Sequence, residues 1–128
     1  MFKIHLDQFE GPLDLLLYFI RRDEIDIYDI PISKITQEYL DVIDEMSAMN
    51  ISVAGEFVLM AATLMRIKSK MLIPRPEIDD EGELIDPRTE LVQKLLEYQQ
   101  FKDISAELIG LRDKISFLHQ RKFFEEIN

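Results

Sequence analysis

The stretch VAGEFVLMAATLMRIKSKMLI, residues 53 to 73, decides how the chain is read. At 3.6 residues per turn, successive side chains lie about 100° apart around a helix. Val53, Phe57, Met60, Leu64, Ile67 and Met71 then fall on one seam, and Ala54, Val58, Ala61, Met65 and Leu72 on a second seam beside it. The two seams cover an arc of about 180°, wider than the stripe of about 100° that a surface helix needs. Glu56, Thr63, Arg66 and Lys70 mark the opposite side, with Leu59 among them. The spacing predicts a helix from about Val53 to Leu72, with Ser52 as its N-cap and Pro74 and Pro76 as its stop. One seam can be buried within its own domain; the other needs a second surface. Two readings stay open: a small three-helix domain that surrounds this helix, or a partner helix laid against its second face. The three methionines suit either, because Met adapts to irregular packing. Glu56, Arg66, Lys68 and Lys70 are too many charges for a membrane span.

Two helices are predicted upstream. Gly11-Pro12 opens the first, with Pro at a position where its missing N–H does no harm. Leu13, Leu16, Leu17 and Ile20 form its stripe, and Leu15 and Phe19 widen it enough to bury most of the circumference. Arg21 and Arg22 suit its C-terminal dipole. Ile25, Ile27 and Ile30 anchor the connection that follows. Pro31 starts the next helix, whose Ile32, Ile35, Tyr39, Val42 and Met46 recur in steps of three and four. Before all of this, Phe2, Ile4 and Leu6 alternate with Lys3 and His5, the period of a short extended segment.

Downstream, residues 77 to 86 (EIDDEGELID) are acidic and lack helical periodicity, which reads as a solvated linker. Asp86-Pro87 then opens a long helix to at least Leu118. Phe101, Ile104, Leu108, Leu111, Ile115 and Leu118 keep a strict three-four spacing along it. Such a helix would reach about 45 Å, too long to be buried on a three-helix domain, so it calls for a partner or another chain. The expected fold is all-α: a small domain over residues 1–75 with a short N-terminal extended segment, an acidic linker over 76–86, and a helical arm over 87–128.

Composition narrows the function. Fifteen basic residues stand against twenty-five acidic ones, a formal net charge of -10. That balance repels DNA phosphates, so any work on chromosomes would pass through a partner. There is no cysteine, which excludes disulfides and thiolate metal sites and suits the cytoplasm. The first residues do not form the apolar run of a secretory leader. His5 and His119 lie far apart, and no Ser-His-Asp or Cys-His set can be built. Glu77, Asp79, Glu81 and Gly82 imitate the opening of a calcium-binding loop, yet Arg88 stands where its closing Glu should be. No phosphate- or dinucleotide-binding glycine motif occurs. The reading is a protein without catalysis, cofactor or metal. The basic run from Arg66 to Arg75 fits dipole complementation, pairing with the acidic linker, or a charge contact with a partner better than nucleic acid.

Several blocks in order resemble a known family. Phe9 to Leu17 (FEGPLDLLL), Glu24 to Pro31 (EIDIYDIP), Ile35-Thr36 with Tyr39-Leu40, and Glu56-Phe57 with Met60 to Leu64 and Ile67 to Leu72 are similar to the segregation and condensation protein A (ScpA) family, the bacterial kleisins. Asp86-Pro87-Arg88 with Glu90-Leu91-Val92 resembles that family's DPREELV, with Thr89 as a departure. The blocks cover about residues 2 to 111, and residues 112 to 128 match nothing in the pattern.

The resemblance implies a non-enzymatic scaffold. In the family, the N-terminal helical domain joins the coiled-coil neck of an SMC ATPase, the middle region binds a ScpB dimer, and a C-terminal winged-helix domain binds the head of a second SMC subunit. Carried onto this chain, it implies SMC contact through Phe57, Met60, Leu64, Ile67, Lys68 and Met71, and ScpB contact through Tyr98, Phe101, Ile104, Leu108 and Leu111. The implied setting is the cytoplasm, at the nucleoid through SMC, in chromosome condensation and segregation. The chain stops at Asn128 and offers no stretch for a winged helix, so bridging two SMC subunits is not expected of these residues alone. The rival reading is a coiled-coil protein that self-assembles through the 101–118 seam.

Overall fold

The computed structural model describes residues 6–49, 51–74 and 77–127, without the side chains of residues 7 and 120–127. The expected extended segment at Phe2 and Ile4 lies outside the described residues; Leu6 sits in a 3-10 turn, Leu6–Gln8. Four α-helices follow: α1 (Pro12–Arg22), α2 (Ile32–Ala48), α3 (Gly55–Leu72) and α4 (Thr89–Ile127). The chain forms two compact units, residues 1–96 and 97–128.

In the first unit, α1 buries Leu15, Leu16, Leu17, Phe19 and Ile20 along with the Asp14 carboxylate. That is the near-complete burial its sequence foretells. Asp14 Oδ2 accepts the Glu10 N–H at 3.2 Å and so satisfies a donor just ahead of the helix. The helix ends in a Schellman motif. Ile25 N–H donates to Ile20 C=O at 2.9 Å and Glu24 N–H to Arg21 C=O at 3.3 Å, with Glu24 left-handed at φ 52. The turn that follows is fixed by Asp26, whose Oδ1 accepts the Tyr28 N–H at 3.0 Å, and it delivers Ile30 into the core.

Helix α2 buries Ile32, Ile35, Tyr39, Val42 and Met46, the three-four seam of the sequence, together with Thr36. The Tyr39 hydroxyl donates to Phe57 C=O at 2.7 Å. Burial, and secondarily the Glu56 carboxylate, push this phenol well above its ordinary range, so it stays a donor. Helix α3 packs mainly on α2, with smaller contact to α1. It begins at Gly55 with Ala54 as its N-cap residue, later than expected, and no side chain caps it. Ser52 is therefore not the cap.

The acidic stretch is exposed, as a solvated segment should be, but it has local order. Ile78 and Leu84 form an antiparallel bridge. Asp79 Oδ1 accepts the N–H groups of Glu81 and Glu83 at 2.9 Å each, and Gly82 takes the turn at φ 82. The Asp79 carboxylate thus caps its own hairpin. Arg88 then ties the chain back to the domain. Its Nη1 donates to Asp29 Oδ1 at 2.9 Å and to Ile30 C=O at 2.8 Å, and its Nη2 pairs with Asp86 Oδ2 at 2.9 Å. Behind this staple, Leu91 and Leu95 are buried, so the first turns of α4 belong to the domain. The boundary falls after Leu96 rather than at Pro87 because these leucines, four apart, complete the core. The second unit is the remainder of α4, whose described side chains are exposed apart from half-buried Tyr98, Gln99, Lys102 and Ser105.

Candidate protein-interaction faces

Helix α3 presents two apolar faces with different fates. Phe57, Ala61, Leu64 and Ile67 are buried, and Met60 and Lys68 are half-buried. The seam expected to meet a partner is therefore chiefly the seam that builds the domain, with only Met71 of its members counted exposed. The second seam is the one left to solvent. Val58 and Met65 are each 53% exposed and Leu72 is 70% exposed. They recur every seven residues, a repeat that drifts only about 20° per step around a helix and so forms a straight stripe. Leu59, also 70% exposed, lies about 100° further round the helix, apart from this stripe. Gly55, Ala62 and Ser69 run parallel to it at the same seven-residue spacing, and a Cβ at Gly55 would meet nothing within 4 Å. Small side chains beside large ones let a second helix approach closely. Ala61, placed with this seam by spacing, turns inward instead.

Polar groups mark the opposite side of the helix. The Thr63 hydroxyl donates to Leu59 C=O at 3.0 Å, and Lys70 Nζ lies 3.6 Å from Glu77 Oε1. That pair joins the end of α3 to the acidic hairpin, one of the roles open to the basic run. A groove of about 250 Å³ lies there, with Met71, Ile73, Leu84, Ile85 and Pro87 in its wall. A second, of about 280 Å³, runs past Tyr28, Arg88, Val92 and Leu96.

On the second unit, Phe101, Ile104, Leu108 and Leu111 are all exposed, and Ile115 and Leu118 continue the line. Tyr98, placed with them by resemblance, is half-buried.

Titratable groups edge both grooves, Lys70, Glu77 and Asp86 at the first and Tyr28, Asp86 and Arg88 at the second. The perturbed acidic pair is at the α1–α2 corner. The Arg22 side chain holds Asp23 below the usual carboxylate range, bonding it at 3.0 Å. Burial, then the neighbouring Asp23, push Glu38 up. Arg22 also pairs with Glu38 at 3.1 Å and Lys34 with Asp23 at 3.7 Å, so the cluster reads as a helix-to-helix tie. Asp86 is held down by its bond to Arg88. Among the described residues, no three His, Asp or Glu side chains gather as metal ligands would, and no helix is long and apolar enough to cross a membrane.

Exposed apolar helix faces on a mainly α-helical frame define a helical module whose prominent surfaces are suited to other helices. The chain belongs to the family described as Segregation and condensation protein ScpA, which it matches over residues 19–127. Curated relatives named Segregation and condensation protein A include that of Oceanobacillus iheyensis, 49% identical over 110 residues (84% of this chain, 44% of the relative). That of Bacillus subtilis is 50% identical over 111 residues (84% and 44%). That of Caldanaerobacter subterraneus subsp. tengcongensis is 44% identical over 128 residues (98% and 50%). The chain spans about half the length of the curated relatives it matches.

Proposed function

We propose that this chain is a non-enzymatic scaffold segment in chromosome condensation and segregation, working in the cytoplasm through an SMC ATPase and ScpB. The first unit docks on the coiled-coil neck of SMC, and α4 meets ScpB beyond the domain boundary. The observation that carries the first half is the division of α3 into a buried face and a free one. Val58, Met65 and Leu72 supply the apolar stripe for a neck helix. Met71 and Lys68 stand at its edge, while Phe57, Leu64 and Ile67 hold the helix from behind. Capture by an immobilised SMC head carrying its proximal coiled coil tests this: Val58→Glu should abolish capture and leave the chain folded.

For the second half, Phe101, Ile104, Leu108 and Leu111 form the ScpB-facing line, with Tyr98 at its start. Their amides should exchange fast in the free chain and slow when ScpB is added; unchanged protection would count against the assignment. No direct contact with DNA belongs to this reading. The acidic balance opposes the counterion release on which non-specific DNA affinity depends.

A further inference from the structure

The exposed seam of α4 has a pattern that fits a second occupant. Phe101, Ile104, Leu108, Leu111, Ile115 and Leu118 alternate steps of three and four, placing Phe101, Leu108 and Ile115 at one core position of a heptad and Ile104, Leu111 and Leu118 at the other. All six are exposed, by 48% to 62%, over about 25 Å of helix. Soluble chains rarely leave so long an apolar line uncovered.

We propose that this seam pairs with the same seam of a second copy of the chain, running antiparallel. In that register Phe101 opposes Leu118 of the second copy, Ile104 opposes Ile115, and Leu108 opposes Leu111. Branched aliphatic residues then meet in the inner layers, and Phe101 packs on Leu118 in the outer ones. The flanks agree. Glu107 of each copy comes beside Lys114 of the other, and by symmetry this attractive contact occurs twice. The remaining flanking pair, Ser105 with Arg112, carries no repulsion.

A parallel pair fits less well. It keeps one attractive flank, Glu107 with Arg112, but stacks Phe101 on Phe101 and sets Lys114 against His119. It would also begin both copies of the seam from the same end, behind two copies of residues 1–96, each with nineteen acidic and ten basic residues. Residues 97–128 carry six acidic and five basic residues, so net charge does not oppose pairing of the seam itself. Because the seam is also the one proposed for ScpB, the two partners would exclude each other. The self-pair is argued from this chain alone and stands or falls without ScpB.

Sedimentation equilibrium of the 128-residue chain over a range of concentrations tests the proposal. The expected result is a reversible monomer–dimer equilibrium, lost in Leu108→Glu, with circular dichroism verifying that the variant keeps its helices. Glu107→Lys alone and Lys114→Glu alone should each raise the dimer dissociation constant several-fold, and the two together should restore it. A chain monomeric at every concentration overturns the proposal, as does a dimer unaffected by Leu108→Glu. Restoration of Glu107→Lys by Arg112→Glu instead of Lys114→Glu would show a parallel pair and overturn the antiparallel one.

Discussion

Two adjacent residues of α3 should behave as opposites. Leu64 is fully buried against the domain, and Met65 is 53% exposed on the free face. Leu64→Ala removes core volume, and cuts of that kind cost about 2–5 kcal/mol of stability, a large share of the total for a small domain. Met65→Ala removes little that the free chain has buried, so its stability should stay within about 0.5 kcal/mol of the parent. Binding reverses the order. Full burial of a Met or Leu side chain is worth about 1.5–3 kcal/mol, and roughly half of Met65 and two-thirds of Leu72 remain to be covered. Met65→Ala with Leu72→Ala should therefore weaken a neck complex by about 2–3 kcal/mol, or roughly 30- to 150-fold. Urea denaturation followed by circular dichroism gives the stabilities, and calorimetric titration with an SMC head–neck fragment gives the affinities. A double variant that binds within about twofold of the parent would refute the assignment of this face. So would a Met65→Ala chain as destabilised as Leu64→Ala, because Met65 would then be core.

Arg88→Ala should destabilise the first unit by about 1.5–3 kcal/mol in the same denaturation assay, since it orphans the Ile30 carbonyl and unpairs Asp29 and Asp86. Arg88→Lys should recover only part of this, lacking the planar fork that reaches all three. Glu24→Gly should raise stability by about 0.5–1 kcal/mol, because Glu24 is held left-handed at φ 52, where glycine meets no Cβ penalty. Acid should destabilise the domain through Asp23 and Asp86. Both are held below their usual value of 3.8 by arginine partners, so their stabilisation is present above that pH and fades as pH falls through the folded values. Glu38 acts in the opposite sense, since a carboxyl raised above 4.5 by burial favours folding when protonated and loses that contribution as pH rises through its folded value. A pH series of melts should therefore show Asp86→Asn blunting the acid loss and Glu38→Gln removing the opposing gain.

Much of the helical frame was legible in the residues. The Gly11-Pro12 start, the wide stripe of α1 and the Ile32-Ile35-Tyr39-Val42-Met46 seam are local periodic signals, and tertiary packing used them unchanged. On α3 the period showed two seams and could not rank them, because both are apolar and share one helical repeat. The choice is made by position in space, where Tyr39 reaches the Phe57 carbonyl and turns that face inward. Arg88 was visible in a family block and as the residue that spoils a calcium loop, but not as a staple. Its partner Asp29 is 59 residues away, and single-sequence patterns carry no trace of such a contact. The hairpin did leave a signal, Asp79 followed three positions later by Gly82, overridden by the acidic composition around it. The domain's reach into α4 was likewise encoded in Leu91 and Leu95, but the continuous helical period beyond them conceals a boundary.

The most direct measurement of the central claim is a titration of the unmodified chain with two SMC fragments, a head carrying its proximal coiled coil and the same head without it, at matched concentration and salt. The expected result is a saturable one-to-one complex with the first and none with the second. Failure to bind the first, or equal binding to both, would contradict docking on the neck through the free face of α3.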